Sequence, residues 1–159
     1  MKKINLREVR EEPWISPKGN FQGSSKEVSV AVGREPLSTD LMKRHPFDVE
    51  ICRIPPGKKN YPYHSHSAQW EFYHVLSGCG TVRHQDGATA IEAGDAFIFA
   101  PGEPHQLIGG GTEDLVVCVV ADNPFGDLCY YPDSKKWSVR LPERRIVRSD
   151  PLEYYDGEE

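Results

Sequence analysis

Two histidines separated by one residue, His64 and His66, have the residue type and spacing to bind a metal ion. In a β-strand, side chains at positions i and i+2 leave the same face, with Cβ atoms roughly 6–7 Å apart. Two imidazole rings at that spacing can converge on one ion. An H-x-H pair also arises by chance, so its meaning depends on the residues around it.

The residues around this pair form a longer pattern. Glu71 follows His66 by five positions, and His105 comes three positions after a Pro-Gly pair. The whole pattern is G-x6-H-x-H-x4-E-x6-G followed by G-x6-P-G-x2-H. Its fixed residues are Gly57, His64, His66, Glu71, Gly78, Gly94, Pro101, Gly102 and His105.

The segments that carry these residues have the texture of an all-β domain. Thirteen Pro and fourteen Gly separate short stretches rich in Val, Ile, Phe and Tyr. No stretch between them shows a sustained 3.6-residue apolar stripe. The predicted strands are residues 27–32, 47–54, 69–76, 79–84, 88–91, 96–100, 104–108 and 114–121.

Tight turns connect several of these strands. Asp86-Gly87 favours a hairpin between the strands on either side, and the glycines at 109–111 predict a second turn. The strand that follows is apolar from Leu115 to Val120, which indicates burial on both faces. About eight strands would leave too many open edges, so we expect closure into a barrel or jelly roll.

The two motifs resemble those of the cupin superfamily, in its small single-domain form. The resemblance covers residues 47–121, a little under half of the chain. This sequence differs from the usual cupin motifs in two places. Six residues rather than the usual five separate Gly57 from His64, and Gly109 occupies a position after His105 where an Asn is frequent. Neither difference removes a candidate ligand. The resemblance implies an all-β, double-stranded β-helix (jelly-roll) barrel with N- and C-terminal extensions.

The resemblance also implies one divalent metal ion inside the barrel, bound by His64, His66, Glu71 and His105. Three neutral imidazoles and one carboxylate suit Mn, Fe, Co, Ni or Zn. Four protein ligands leave room for water or substrate on a metal that prefers six, and an open position makes the ion a Lewis acid. Since no thiolate takes part, we expect a reactive site rather than a closed structural zinc site.

Strand parity from Glu71 directs Tyr73 towards the barrel interior, and we name Tyr73 and Glu71 as candidates for proton transfer. Six further residues lie close to the ligands in sequence and are candidates for substrate binding: Tyr61, Tyr63, Gln69, Gln106, Phe97 and Phe99. Three basic residues near the first motif are candidates for contact with a phosphate or carboxylate: Arg53, Lys58 and Lys59.

Three functions fit this ligand set, because one barrel supports many reactions. The first is a metal-dependent enzyme acting on a small oxygen-rich molecule, such as a sugar-phosphate isomerase. The second is an oxygen-dependent dioxygenase, which requires a redox metal. The third is a non-catalytic protein that binds or senses a small ligand, and turnover distinguishes it from the other two.

The chain divides into three predicted regions: an extension with one strand at 1–46, the barrel core at 47–121 and a second extension at 122–159. The aromatic residues Tyr130, Tyr131 and Trp137 predict that the second extension packs on the barrel or on a partner subunit. Small cupin barrels commonly dimerise by exchanging strands near the N-terminus, so we expect a homodimer and take residues 27–32 as the exchanged segment.

Composition excludes several partners. The net charge is −5, and basic residues are too scattered to neutralise a phosphate backbone or an anionic membrane, so we expect neither nucleic acid nor membrane partners. The N-terminus carries no apolar signal-like stretch, which favours the cytoplasm. The four cysteines form no C-x-x-C pair and are predicted to be buried, reduced thiols.

Overall fold

The computed structural model describes residues 1–36, 38–140, 143–148 and 150–158. Within these residues the chain forms thirteen strands and two short helices. The strands are β1 (Glu12–Ile15), β2 (Gln22–Glu27), β3 (Phe47–Ile54), β4 (Ser65–His66), β5 (Glu71–Ser77), β6 (Cys79–His84), β7 (Gly87–Glu92), β8 (Ala96–Phe99), β9 (His105–Gly109), β10 (Leu115–Asp122), β11 (Leu128–Tyr131), β12 (Lys136–Val139) and β13 (Arg145–Val147). The helices are α1 (Val28–Ala31) and α2 (Leu41–Arg44).

The described strands pair into three sheets. The large sheet has the order β1-β2-β3-β10-β5-β8, the tail sheet β13-β12-β11-β4 and the small sheet β7-β6-β9. One apolar core lies between the large and small sheets, with Cys52 and Val117 contributed by the first and Val82 and Leu107 by the second. The predicted all-β fold, with its strands packed around one core, is thus confirmed.

The hairpin predicted at Asp86-Gly87 is confirmed. Strands β6 and β7 pair in register up to His84 and Gly87, so that only Gln85 and Asp86 lie between them. Gly87 has a φ of 135°, a conformation that a residue with a Cβ rarely adopts. The burial predicted for both faces of β10 is found on one: Leu115, Val117, Val119 and Ala121 are buried. On the other face Val116 is buried, and the remaining three residues are half-buried.

The two departures from the cupin motifs lie in contact. The Gly57 amide donates a hydrogen bond to the Gly109 carbonyl oxygen (2.9 Å), which joins the longer loop after Gly57 to the end of β9. A Cβ at position 109 would lie 2.3 Å from the Pro55 carbonyl oxygen. The backbone at Gly109 therefore lies so close to the backbone at Pro55 that an asparagine side chain would not fit.

The strand predicted at 27–32 is wrong for most of its length. Strand β2 ends at Glu27, and residues 28–31 form the helix α1. The Ser29 hydroxyl is buried and accepts a hydrogen bond from the Val49 amide (2.7 Å), so this tertiary contact overrides the alternating Val pattern. A strand exchange through this segment loses its basis, because β2 already pairs with β3 in the same chain.

The segment after β10 returns to the barrel. Strand β11 pairs with β4, with Cys129 opposite His66 and Tyr130 opposite Ser65. Strands β12 and β13 extend this tail sheet outwards. Through this pairing, residues more than sixty positions away in sequence come to lie beside the H-x-H motif.

All four cysteines are free. Cys52 and Cys129 are buried as predicted, Cys118 is half-buried, and Cys79 is exposed at the start of β6, which corrects the prediction for that residue. In the part of the chain that is described, no helix combines the length and the apolar character needed to cross a membrane.

Candidate metal centre and cavity

The backbone brings the two motifs together at one pair of residues. His64 and His105 form an isolated antiparallel bridge, in which the His64 amide donates to the His105 carbonyl oxygen (3.1 Å) and the His105 amide to the His64 carbonyl oxygen (2.8 Å). His66 lies two positions on, in β4, and Glu71 begins β5. All four side chains are buried or half-buried at this end of the barrel.

Each of the three histidines is oriented by a hydrogen bond at Nδ1. His64 Nδ1 lies 2.8 Å from the Pro62 carbonyl oxygen, and His105 Nδ1 lies 3.1 Å from the Glu103 carbonyl oxygen. A carbonyl oxygen only accepts, so both Nδ1 atoms carry the proton, which leaves Nε2 as the ring nitrogen that could bind a metal. Outer partners of this kind fix the tautomer and ring direction of metal-binding histidines.

His66 has a charged outer partner. Its Nδ1 lies 2.6 Å from Asp127 Oδ2, in the turn before β11. The other carboxylate oxygen of Asp127 accepts from the Ala68 amide (3.0 Å), which holds the group in place. Burial would raise the pKa of Asp127, but the bond to His66 outweighs burial and lowers it.

Glu71 lies among the imidazoles. Its Oε2 is 2.8 Å from His105 Nε2, and its Oε1 is 3.7 Å from His66 Nε2. One donor atom each from His64, Glu71 and His105 lies within 4.8 Å of the others. Two donors bound at right angles to an ion about 2.1 Å away would stand about 3 Å apart, and opposed donors about 4.2 Å apart. The donor set therefore fits a divalent transition-metal ion.

The charge states also suit a metal. Burial would raise the pKa of Glu71, but the hydrogen bond with His105 and the nearby imidazoles outweigh burial and lower it to about 2. Burial, with His105 next, lowers the pKa of His64 to about 4. At neutral pH the site thus offers an ionised carboxylate and a neutral His64 imidazole, the forms in which these groups bind metals.

Tyr73 lies beneath the ligands. Its hydroxyl donates to Glu71 Oε2 (3.2 Å) and lies 3.1 Å from His105 Nε2, while its ring stacks on Phe97 and the Phe99 ring stacks on His105. These three aromatic residues pack with the apolar core. They support the ligands from below and do not line the cavity.

A cavity of about 650 Å³ opens above the ligands. Tyr61 and Gln69, two of the residues predicted to bind substrate, line it together with His64, His66 and Glu71. The structure does not bring the other candidates there. The Tyr63 ring lies under the Arg83 guanidinium (3.8 Å), and the Gln106 amide nitrogen donates to the Tyr61 carbonyl oxygen (2.7 Å).

The basic residues near the first motif also lie elsewhere. Arg53 pairs with Glu11 (3.0 Å) and Asp114 (3.4 Å), and Lys58 donates to the Gly19 carbonyl oxygen. The cavity has a different charged lining that sequence reasoning missed. Acidic side chains from β2 and β3 form one wall, and basic side chains from the second extension form another: Glu27, Asp48, Glu50, and Lys136, Arg140, Arg144.

Cys129 is a further residue that sequence reasoning missed. A second possible donor group consists of His64, His66 and Cys129, with donor atoms within 4.8 Å of one another. Burial raises the pKa of the Cys129 thiol to about 11, so the sulfur carries a proton at neutral pH. No local spacing rule links Asp127 or Cys129 to His66, since only the pairing of β11 with β4 brings them together.

Comparisons with known proteins agree with this architecture. A family model described as a cupin domain matches residues 50–121. A proposed sugar phosphate isomerase from Acidithiobacillus ferrooxidans has 26% sequence identity and a TM-score of 0.77, over 93% of this chain and 92% of that one. A sugar phosphate isomerase of Silicibacter pomeroyi has 22% identity and a TM-score of 0.77, over 96% and 97%.

The next similar structure is smaller. A predicted oxalate decarboxylase from Thermotoga maritima has 22% identity and a TM-score of 0.62, covering 77% of this chain and 99% of that one. No curated protein matches the sequence. The two structures with the higher scores extend over nearly all of this chain, including most of its extensions.

Proposed function

We propose that this chain, which contains a cupin domain at residues 50–121, is a metal-dependent enzyme that acts on small, oxygen-rich anions and interconverts sugar phosphates. The observation that carries the proposal is one cavity that combines a metal-binding donor set with three basic side chains from the second extension. Three residues of the donor set, His64, His66 and Glu71, line this cavity together with three basic residues: Lys136, Arg140 and Arg144. A molecule with vicinal oxygens at one end and a phosphate at the other fits this arrangement.

His64, His66, Glu71 and His105 would hold the ion through three Nε2 atoms and one carboxylate. When bound, the metal supplies Lewis acidity, which polarises a substrate carbonyl and lowers the barrier to loss of a proton from the neighbouring carbon. The protein keeps the ligands oriented through the three Nδ1 hydrogen bonds. Tyr73 positions Glu71 by donating to Oε2.

The two residues predicted to transfer protons are poorly placed for that task. Glu71 is engaged with His105 and has a pKa of about 2, so it is a weak base. Burial raises the pKa of Tyr73 well above its usual range, and its hydroxyl faces the ligands rather than the cavity. We therefore assign both to binding and positioning.

The basic residues support a phosphate as the anionic end of the substrate. Guanidinium groups bind phosphate through paired hydrogen bonds, and Arg140 and Arg144 both line the cavity. The similar Acidithiobacillus ferrooxidans protein covers 93% of this chain, so the likeness reaches the second extension as well as the barrel. A barrel alone would lack these cations.

The test uses purified protein loaded separately with Mn²⁺, Fe²⁺, Co²⁺, Ni²⁺ and Zn²⁺. Each form is incubated with glucose 6-phosphate, mannose 6-phosphate and ribose 5-phosphate, and the matching ketose phosphates are followed by NMR. We expect interconversion with at least one pair. If no metal form converts any pair, the isomerase proposal fails; oxygen uptake would then favour a dioxygenase, and binding without turnover a sensor.

The phosphate end can be tested separately. Arg140→Gln combined with Arg144→Gln should raise KM for the phosphorylated substrate by about 10–100-fold, the value of a lost charge-assisted hydrogen bond. Arg145→Gln is the matched control, because Arg145 pairs with Glu143 on the surface. Metal content should be the same in all three proteins. An equal KM in the double variant and the control would contradict the phosphate assignment.

We also propose that the protein is a homodimer. The outer face of the large sheet carries apolar side chains that remain about half exposed in one chain, including Phe47 (51%), Phe72 (40%) and Ile98 (54%). A second copy would cover them. Light scattering should give twice the chain mass for the native protein and a monomer for Phe72→Ser with Ile98→Ser, and a native monomer would contradict the proposal. A cytoplasmic location stays a prediction.

A further inference from the structure

Two further carboxyl groups line the same cavity as His64, His66 and Glu71. Glu27 on β2 lies directly opposite Glu50 on β3, and both line the cavity. Neither belongs to the metal-binding donor set. Their placement on paired strands of the large sheet fixes their position more firmly than a loop would.

The register of the large sheet defines what separates them from the metal ligands. On β10, Val119 is flanked by Glu50, and Ala121 is flanked by Glu71 on the other side. Neighbouring strands are about 4.8 Å apart, so the backbones of β3 and β5 are about 9–10 Å apart across β10. Val119 and Ala121 of β10 line the cavity between these strands, and the cavity volume of about 650 Å³ is large enough for a sugar phosphate.

Two carboxylates at directly opposed positions repel each other, and the pair relieves the repulsion by keeping a proton. In the described residues no lysine or arginine forms an ion pair with Glu27 or Glu50. Arg34, the cation on this wall, pairs instead with Asp48 (2.8 Å). The Ser25 hydroxyl donates to Glu27 Oε1 (3.1 Å), which holds the Glu27 carboxyl group in its place beside Glu50.

The other groups around Glu50 also favour its protonated form. Burial raises the pKa of Glu50 to about 8, with Glu27, Asp48 and Glu71 adding to the increase. Tyr61 also lines the cavity and carries no charge, because burial raises its pKa above the usual range. Strand β10 contributes apolar residues at this level. A carboxyl group that titrates near neutral pH has the acid strength that proton transfer requires.

We infer that the Glu27–Glu50 pair is the proton-exchange group of this site, with Glu50 as the residue that takes a proton from the substrate and returns it. The inference rests on the proposed function for the identity of the substrate. The Glu50 carboxylate removes the proton from the carbon beside the carbonyl, and the electron pair of that C–H bond forms the C=C bond. The same proton then returns to the neighbouring carbon, while the hydroxyl proton moves between the two substrate oxygens, so aldose and ketose interconvert without an oxidant.

Glu50→Gln is the first test, because it keeps the shape of the side chain and removes the proton-exchange group. With a sugar phosphate that the native protein converts, kcat should fall by about 10²–10⁴-fold at unchanged metal content. The exposed Glu113→Gln is the matched control and should retain full activity. Activity of Glu50→Gln equal to that of the control would overturn the inference.

Glu27→Gln tests the pairing. Without the neighbouring charge, Glu50 loses its proton more easily, so the rise of kcat with pH should move to lower pH than in the native protein. A merely structural role for Glu27 would change the size of kcat and leave the position of this limb fixed. If kcat rose at the same pH in Glu27→Gln as in the native protein, the proposed pairing of Glu27 with Glu50 would be overturned.

A third measurement separates this inference from the proposed function, because it needs no substrate. A group whose pKa rises from 4.5 to about 8 on folding adds most stability below pH 4.5 and loses it as the pH rises to 8. Gln has no such dependence, so the Tm of Glu50→Gln should exceed that of the native protein by about 4 °C or more at pH 9, with a smaller gap at pH 5. If the Tm of the native protein and of Glu50→Gln changed with pH in parallel, the inference would be overturned. If their difference widened with pH but the native protein converted no sugar phosphate, only the sugar-phosphate assignment would be overturned.

Discussion

The two ends of the barrel are built from the same strands but differ in burial and in polarity. At one end, Cys52 and Ile54 of β3 and Leu115 and Val117 of β10 are fully buried in an apolar core. At the other end of β3, two residues on the same face are Asp48 and Glu50, and they line a cavity. Along one face of one strand, the chain thus passes from dry core to polar site within four positions.

This difference shows how the fold separates stability from chemistry. The dry end contributes the free energy of unfolding through apolar burial, while the polar end buries charged groups that cost free energy unless they are paired. The polar end contains several ionisable groups in a small space, and the dry end provides the rigidity that holds them there. A substitution in the apolar core should therefore lower stability and leave metal binding intact.

The largest effect is expected at the centre of the polar end. His64→Ala removes a ligand that no neighbour replaces, so metal affinity should fall by more than the roughly 100-fold that the loss of an outer partner can cause. His74→Ala is the matched control, since this histidine lies exposed on the strand that begins with Glu71. Metal content is measured by elemental analysis after dialysis. Full metal content in His64→Ala would refute the assigned donor set.

A substitution in the apolar core should lower stability without loss of metal binding. Leu115→Ala leaves a cavity in a fully buried position and should lower the free energy of unfolding by about 2–5 kcal/mol. The folded variant should still bind one metal ion per chain. Leu76→Ala, at a residue that is 45% exposed, is the control and should change stability little. If Leu115→Ala lost its metal while still folded, the two ends would not be independent.

Much of this division could be predicted from the sequence, because its signals are local. The H-x-H pair, the glycines and the Pro-Gly turn lie within short motifs, and the strands around them have the expected composition. Strand β3 shows where local patterns fail. Its apolar residues Phe47, Val49 and Ile51 share one face, yet that face is the outer one, and Asp48 and Glu50 point into the cavity. Hydrophobic alternation alone would have placed the three apolar residues inside the barrel and the two acidic residues outside it.

The outer partner of His66 could not be predicted for a related reason. Asp127 lies sixty-one positions from His66, and the two residues meet only because β11 pairs with β4. The same applies to Arg140 and Arg144, whose basic character is visible in the sequence while their place at the cavity is not. Contacts between distant segments depend on topology, which motif spacing does not contain.

Asp127→Asn should have an intermediate effect at the polar end. The amide is less able than the carboxylate to draw the Nδ1 proton of His66, so Nε2 becomes a weaker ligand and metal affinity should fall by about 10–100-fold. Asp133→Asn is the control, because Asp133 pairs with Arg83 at the surface. Metal titration at constant pH measures both. An affinity equal to that of the control would indicate that His66 does not bind the ion.

The smallest effect is expected for Cys129→Ser, and this variant decides between the two donor groups that share His64 and His66. If Glu71 and His105 complete the site, the thiol remains protonated, as its pKa of about 11 favours, and metal affinity should change by less than the roughly 10-fold that marks the loss of an outer partner. The cobalt-loaded native protein should then lack a thiolate-to-metal charge-transfer band in the near ultraviolet. A strong band that disappears in Cys129→Ser would instead place the ion against β11, and the polar end would use a sulfur ligand that the sequence motifs do not include.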